Sequence, residues 1–118
     1  MNPTDKQHKT AMMYLKEVGT SESTHVPTST LLEFDLVMRN RGYTEDEISS
    51  TWRAVLPLVG ENYVATTVSA HLMAASFRAK GLTYFDSLIT ALAAEMNAVV
   101  VTRDDAISRH VATEWNVS

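Results

Sequence analysis

The pattern of hydrophobic and polar positions predicts helices separated by short β-strands. Apolar residues recur every three or four positions, the spacing of one helix face, in five long segments and one short one. The predicted helices span residues 5–18, 29–41, 44–56, 71–80, 84–96 and 104–110. Short runs rich in β-branched residues predict strands at 24–27, 63–67 and 98–102, with an edge strand at 112–117. Strands that alternate with helices indicate an α/β fold with a mainly parallel sheet.

Polar residues at the segment ends predict where the helices begin and end. We expect Ser29 or Thr30 to cap the second helix, and Gly42 to end it. Thr44 and Glu47 have the spacing of a capping box, in which each residue binds the other's backbone N–H. The boundaries of these helices are therefore marked by residues with a physical reason to be there.

Size and composition narrow the class of protein. A chain of 118 residues is near the usual size of one domain, so we expect residues 1–118 to form a single domain. It contains no cysteine, which excludes disulfides and zinc–thiolate sites. No apolar run is long enough to cross a bilayer and no signal peptide is evident, so we expect a cytoplasmic protein without membrane contact. The net charge of −4 argues against nonspecific nucleic-acid binding but allows a nuclease that carries metal cations.

Three acids lie in or beside apolar segments. Asp104 follows the apolar run 98–102, which we expect to be buried on both faces of a parallel sheet, and sites form beyond the carboxyl ends of such strands. Asp86 begins an apolar helix, and Glu33 lies between Leu32 and Phe34. Acids in apolar surroundings are costly to desolvate without a partner, which favours a shared divalent cation.

Each acid also has a structural explanation. Asp104 or its neighbour Asp105 can cap the last helix, and Asp86 suits the positive end of a helix dipole. Glu33 can reach solvent from a helix surface. Other chemistries find less support: the four histidines lack metal-binding spacing, and neither a nucleophile elbow nor a phosphate-binding glycine loop is present.

The order of these segments resembles the PIN-domain ribonucleases, most closely the VapC-type toxins of toxin–antitoxin pairs. Four stretches carry the resemblance, and together they extend over nearly the whole chain. They are Asn2 to Ala11 (NPTDKQHKTA), Val26 to Glu33 (VPTSTLLE), Phe85 to Ala93 (FDSLITALA) and Val99 to Asp104 (VVVTRD). The resemblance implies a three-layer fold, with a central parallel sheet between helices.

One feature of the family is missing from this sequence. The family's first strand ends in an aspartate, whereas Met1 lies where that strand and the start of the following helix would have ended. We therefore expect an N-terminally truncated PIN-like fold. Two explanations stay open: a longer chain precedes Met1, or the sheet is completed by rearrangement or by a partner's strand.

The resemblance implies a metal-dependent endoribonuclease that hydrolyses RNA phosphodiester bonds with Mg²⁺ or Mn²⁺. Its catalytic and metal-binding residues would be Glu33, Asp86 and Asp104. Supporting or substrate-binding residues would be Thr102, Arg103 and Asp105. It also implies RNA as substrate, a cognate antitoxin and a homodimer, and the form without the first aspartate is expected to be weak or inactive. Further cations available for RNA are Arg39, Arg41, Arg78, Lys80 and Arg109.

Two other interpretations remain open. A catalytically degenerate PIN-like domain would act as a protein-binding scaffold, through apolar residues such as Trp52, Leu56 and Leu58. The same residues can equally form the buried face of an amphipathic helix. A phosphatase-like or receiver-like α/β fold also places aspartates at strand ends, but it needs an early acidic strand that this sequence lacks as well.

Overall fold

The computed structural model describes residues 25–102 and 104–115. These residues belong to two compact units: unit one ends at Val64, and unit two begins at Ala65. The predicted helix at 5–18 lies outside the described residues. The single domain expected over 1–118 stays a prediction.

The described residues of unit one form two helices and one pair of strands. Its elements are β1 (Val26–Pro27), α1 (Thr28–Asn40), α2 (Glu45–Val59) and β2 (Tyr63–Val64). The strands are parallel, with Val26 opposite Tyr63 and Pro27 opposite Val64. The predicted strand at 24–27 is thus present in its last two residues.

The start of α1 differs from our expectation. Pro27 occupies the position before the helix and has no side chain that can accept a hydrogen bond there. Neither Ser29 nor Thr30 is the cap, because both lie inside the first turn. The Ser29 side chain is buried there. Proline suits this position because its fixed φ, here −63°, sets the chain direction into a helix.

The capping box at the start of α2 is confirmed. The Glu47 N–H donates to Thr44 Oγ1 at 3.2 Å, and the Thr44 N–H donates to Glu47 Oε1 at 2.9 Å. The helix continues three residues beyond the predicted end and includes Pro57. It stops at Gly60, whose φ of 55° is one that residues with a side chain rarely adopt.

Unit two contains three helices and a second pair of strands. Its elements are α3 (Val68–Ala79), α4 (Tyr84–Met96), β3 (Val100–Val101), α5 (Asp105–Ser108) and β4 (Thr113–Glu114). Strands β3 and β4 are parallel, with Val100 opposite Thr113. Parallel strand pairs accompanied by helices confirm the α/β class.

The core of unit two lies where α3 packs against α4. Small residues on both helices are fully buried there, namely Ala70, Ala74 and Ala91. Leu88 and Leu92 on α4 are nearly so. Alanines allow two helix backbones to approach closely, so this interface leaves little room for larger side chains.

Three predicted boundaries after α2 were wrong. The strand expected at 63–67 ends at Val64, and α3 begins at Val68 instead of residue 71. The reason is Thr67, whose hydroxyl accepts the Ala70 N–H at 3.0 Å and so starts the helix early. Helix α5 ends at Ser108 and not at residue 110.

Strand β3 is shorter and more exposed than the apolar run 98–102 predicted. It spans two residues, both half-buried, and the neighbouring Val99 is 55 % exposed. Among the described strands it pairs with β4 alone. A strand with one described neighbour does not match the burial on both faces that we expected.

Candidate functional site

Asp86 lies in the first turn of α4, in unit two. Its backbone N–H donates a hydrogen bond to Thr83 Oγ1 at 3.4 Å, and Thr83 is the residue that caps the helix. The residue is half-buried. A negatively charged side chain in this position interacts favourably with the positive end of the helix dipole.

Asp104, also in unit two, caps α5. Its Oδ1 accepts the N–H groups of Ala106 at 2.7 Å and Ile107 at 3.3 Å. The capping role that we considered for this residue is therefore confirmed. The described hydrogen bonds occupy only Oδ1, so capping does not use the second carboxylate oxygen.

Thr102 connects strand β3 to Asp104. Its backbone N–H donates to the Glu114 carbonyl at 2.9 Å, which extends the parallel pairing by one residue. Its Oγ1 accepts the Asp104 N–H at 3.1 Å. Thr102 thus fixes the backbone from which the Asp104 carboxylate projects. Asp105 is exposed in the first turn of α5, and Arg103 lies outside the described residues.

Glu33 lies on α1, in unit one, and is half-buried. The apolar residues around it are more exposed than we expected. Leu32, Phe34, Leu36 and Val37 are all exposed at the surface. The surroundings of Glu33 are therefore more accessible to solvent than the apolar sequence around it suggests.

The candidate acids are of the chemical type that binds a divalent metal. Carboxylate oxygens are the ligands that Mg²⁺ and Mn²⁺ prefer. Within residues 25–102 and 104–115, however, no three histidine, cysteine, aspartate or glutamate side chains lie close enough together to hold a metal ion. The assignment of Glu33, Asp86 and Asp104 as ligands stays a prediction.

Among the candidate cations, Arg39 and Lys80 have partners close to them in the sequence. Arg39 forms ion pairs with Asp35, at 2.7 Å, and with Glu45, and these two carboxylates raise its pKa. Lys80 lies over the Phe77 ring, 5.6 Å from its centroid. Arg41 and Arg109 are exposed.

Arg78 joins the end of α3 to the start of α4. Its Nη1 donates to Ser87 Oγ at 3.0 Å, and its guanidinium carbon lies 5.5 Å from the centroid of the Tyr84 ring. Ser87 is fully buried, and its Oγ donates to the Tyr84 carbonyl at 2.6 Å. Tyr84 and Ser87 lie in the same helical turn as Asp86.

Asp35 is not among the candidate residues from the sequence, yet it joins helices α1 and α2. Its Oδ1 accepts the Trp52 Nε1–H at 2.9 Å, and its Oδ2 accepts the Arg39 Nε–H. These hydrogen bonds, from Arg39 first and then from Trp52, lower the pKa of Asp35. The four-residue spacing of Asp35 and Arg39 was a visible signal for their ion pair, whereas Trp52 lies 17 positions away.

An apolar cavity of about 420 Å³ lies in unit one. Most of its lining comes from α2, including Trp52, Val55 and Leu56, and Leu31 contributes from α1. Trp52 is half-buried and meets the Phe34 ring edge-on, whereas Leu56 is 68 % exposed. Trp52 is thus partly a packing residue, and Leu56 is a surface residue.

Comparison with known proteins identifies the family. The fold is that of an α/β protein with acids at the ends of strands and the starts of helices, and a family model described as the PIN domain matches residues 4–112. The chain belongs to the PIN-domain family. PIN domains are generally divalent-metal-dependent nucleases that act on RNA or DNA. Searches of curated proteins and of solved structures found no match.

The helices offer no candidate for a membrane span. The longest in the described part of the chain, α2, has 15 residues, and none there is long and apolar enough to cross a bilayer.

Proposed function

We propose that this chain is a metal-dependent endoribonuclease of the VapC toxin type, acting in the cytoplasm. The observation that carries the proposal is the PIN-domain match over residues 4–112, since this range includes Glu33, Asp86 and Asp104. The positions of Asp86 and Asp104 support it, because both carboxylates lie at helix starts within unit two. The other candidate function, a scaffold without activity, has no comparable support.

Glu33, Asp86 and Asp104 would hold Mg²⁺ or Mn²⁺. When bound, such a metal supplies a water of lowered pKa for attack on phosphorus and stabilises the leaving oxygen. The protein itself positions the carboxylates that would bind the metal. Thr83 starts the helix that carries Asp86, and Thr102 fixes the backbone of Asp104. Arg103 and Asp105, the neighbours of Asp104 in the sequence, would support substrate or metal.

The decisive experiment compares two first-turn aspartates. Asp86→Asn removes a proposed metal ligand at the start of α4. Asp46→Asn removes an exposed carboxylate from the first turn of α2, where the dipole effect is similar. Cleavage of single-stranded RNA is measured with Mg²⁺, with Mn²⁺ and with EDTA.

We expect weak metal-dependent cleavage, which Asp86→Asn abolishes and Asp46→Asn leaves unchanged. A direct readout of the ligand role is Mn²⁺ affinity by calorimetry, which Asp86→Asn should lower and Asp46→Asn should not. Equal activity of the two variants would refute the assignment of Asp86. RNA cleavage that persists undiminished in EDTA would refute metal dependence.

We also propose that the chain is a homodimer that binds a cognate antitoxin, with α2 in the interface. The supporting observation is the apolar cavity beside the exposed Leu56. Light scattering should give twice the chain mass for the wild type and the monomer mass for Leu56→Glu. Leu72→Glu is the matched control, since Leu72 on α3 is 75 % exposed. A monomeric wild type would refute the homodimer.

A further inference from the structure

Tyr84 has an exposed ring with a cation over it, and it begins the helix that carries a candidate catalytic acid. It is the first residue of α4, two positions before Asp86, and is 54 % exposed. The Arg78 guanidinium lies over its ring, and the Phe85 ring meets it edge-on, with centroids 5.3 Å apart. We propose that Tyr84 is the platform on which a base of single-stranded RNA stacks during binding. This inference rests on the proposed ribonuclease function and names a residue that positions its substrate.

Two neighbours restrict the Tyr84 ring before any ligand arrives, namely the Arg78 guanidinium and the Phe85 ring. Arg78 is fixed by its hydrogen bond to the buried Ser87, and Ser87 is fixed by its own bond to the Tyr84 carbonyl. Arg78 therefore contacts the Tyr84 ring directly and is linked to the Tyr84 backbone through Ser87. A side chain that is already ordered loses little conformational entropy when a base stacks on it, and that preorganisation favours binding.

Other exposed aromatic residues of the described chain lack this combination. The Phe34 ring packs edge-on against Trp52. Tyr63 is 51 % exposed but lies on β2 in unit one. Tyr84 alone among the described exposed aromatic side chains is seen with a cation over its ring, and it shares a helical turn with Asp86.

The charges near Tyr84 suit the backbone of a nucleic acid. Carboxylates such as Asp86 repel phosphates, so a strand that approaches them needs compensating cations. Arg78 and the exposed Lys80 provide positive charge at the end of α3. A guanidinium has five N–H donors, and the described contacts of Arg78 use one of them. A base on Tyr84 with its phosphate near Arg78 would satisfy both kinds of group.

The test uses the full chain and a short fluorescein-labelled single-stranded RNA. Equilibrium binding is measured by anisotropy in EDTA, which stops metal-dependent cleavage, and KM and kcat are measured separately with Mn²⁺. The variants are Tyr84→Leu, which removes the ring, and Tyr84→Phe, which keeps it. Tyr63→Leu is the control for loss of an equally exposed tyrosine. Circular dichroism of each variant verifies the fold.

We expect Tyr84→Leu to weaken RNA binding and raise KM by about five- to 150-fold, the range for loss of one base–aromatic stack. Tyr84→Phe should stay within about twofold of the wild type, as should Tyr63→Leu. If Tyr84→Leu is folded and binds RNA as the wild type does, the inference is wrong. It is also wrong if Tyr84→Phe loses as much affinity as Tyr84→Leu, or if only kcat falls.

Two arms separate this inference from the proposed function. If the wild type cleaves RNA and Tyr84→Leu does so equally well, stacking on Tyr84 fails while the nuclease assignment stands. If the wild type binds RNA through Tyr84 but does not cleave it with any metal, the nuclease assignment fails while the platform stands. If the wild type neither binds nor cleaves RNA, both are overturned.

Discussion

Asp35 and Trp52, 17 positions apart, join the two helices of unit one through a hydrogen bond of 2.9 Å from the indole Nε1–H to Oδ1. The second carboxylate oxygen of Asp35 is held by Arg39, one turn further along α1. One acid thus orients an aromatic side chain that lines the cavity of unit one, and the ionisation of that acid is linked to folding.

The link predicts an acid-sensitive contribution to stability. Hydrogen bonds from Arg39 and Trp52 lower the pKa of Asp35 from its ordinary value of 3.8. A lowered folded-state pKa stabilises the protein above the unfolded pKa, and this stabilisation disappears as pH falls through the folded value. Wild type and Asp35→Asn should therefore differ most near neutral pH and converge below about pH 4, as measured by urea unfolding across a pH series.

The matched control for Asp35 is Glu61→Gln, which removes an exposed carboxylate from the same unit. Its unfolding free energy should follow the wild type at every pH. A difference between wild type and Asp35→Asn that stays constant down to pH 2 would contradict the linkage.

The fully buried alanines predict how tightly the α3–α4 interface is packed. Ala91→Leu adds three carbon atoms where the side chain has no solvent exposure, and such overpacking typically costs about 1–3 kcal/mol. Ala94→Leu makes the same change on the exposed side of α4 and should leave the free energy of unfolding nearly unchanged. Denaturant unfolding of both variants measures this, and equal stabilities would show that the interface is loose.

The features that sequence could predict are those decided by neighbouring residues. The capping box of Thr44 and Glu47 needs only three residues of spacing, and α4 begins and ends at the expected positions. By contrast, the predicted strand at 63–67 includes Thr67 because threonine favours strands. Its hydroxyl instead caps α3 and also donates to Glu95, 28 positions away.

The candidate site shows the same division. That Asp104 caps a helix was readable from its position after a strand and before a short helix. The exposure of the apolar residues around Glu33 could not be predicted from the sequence, because it depends on what packs against α1. The Arg78–Tyr84–Ser87 cluster was also missed, since it needs two helix ends to meet.

The two oxygens of Asp104 allow its structural and catalytic roles to be separated. Asp104→Asn keeps an oxygen that can accept the N–H groups of Ala106 and Ile107, so stability should change little while the negative charge is lost. Asp104→Ala removes the cap and should cost about 1 kcal/mol in unfolding free energy. If the acid binds metal, both variants should lose RNA cleavage, and only Asp104→Ala should unfold more easily. Full activity in Asp104→Asn would leave the residue a cap and nothing more.

Arg103 carries the remaining prediction, which comes from the sequence because the residue lies outside the described part of the chain. Because Arg103 is next to Asp104 in the sequence, we expect it to bind an RNA phosphate. Arg103→Gln should therefore weaken binding of single-stranded RNA and reduce the slope of log affinity against log salt by about 0.7. Arg53→Gln, which removes an exposed arginine from α2, is the charge-matched control and should leave the slope unchanged. If both variants reduce the slope equally, the effect is one of net charge, and Arg103 has no specific contact with the phosphate.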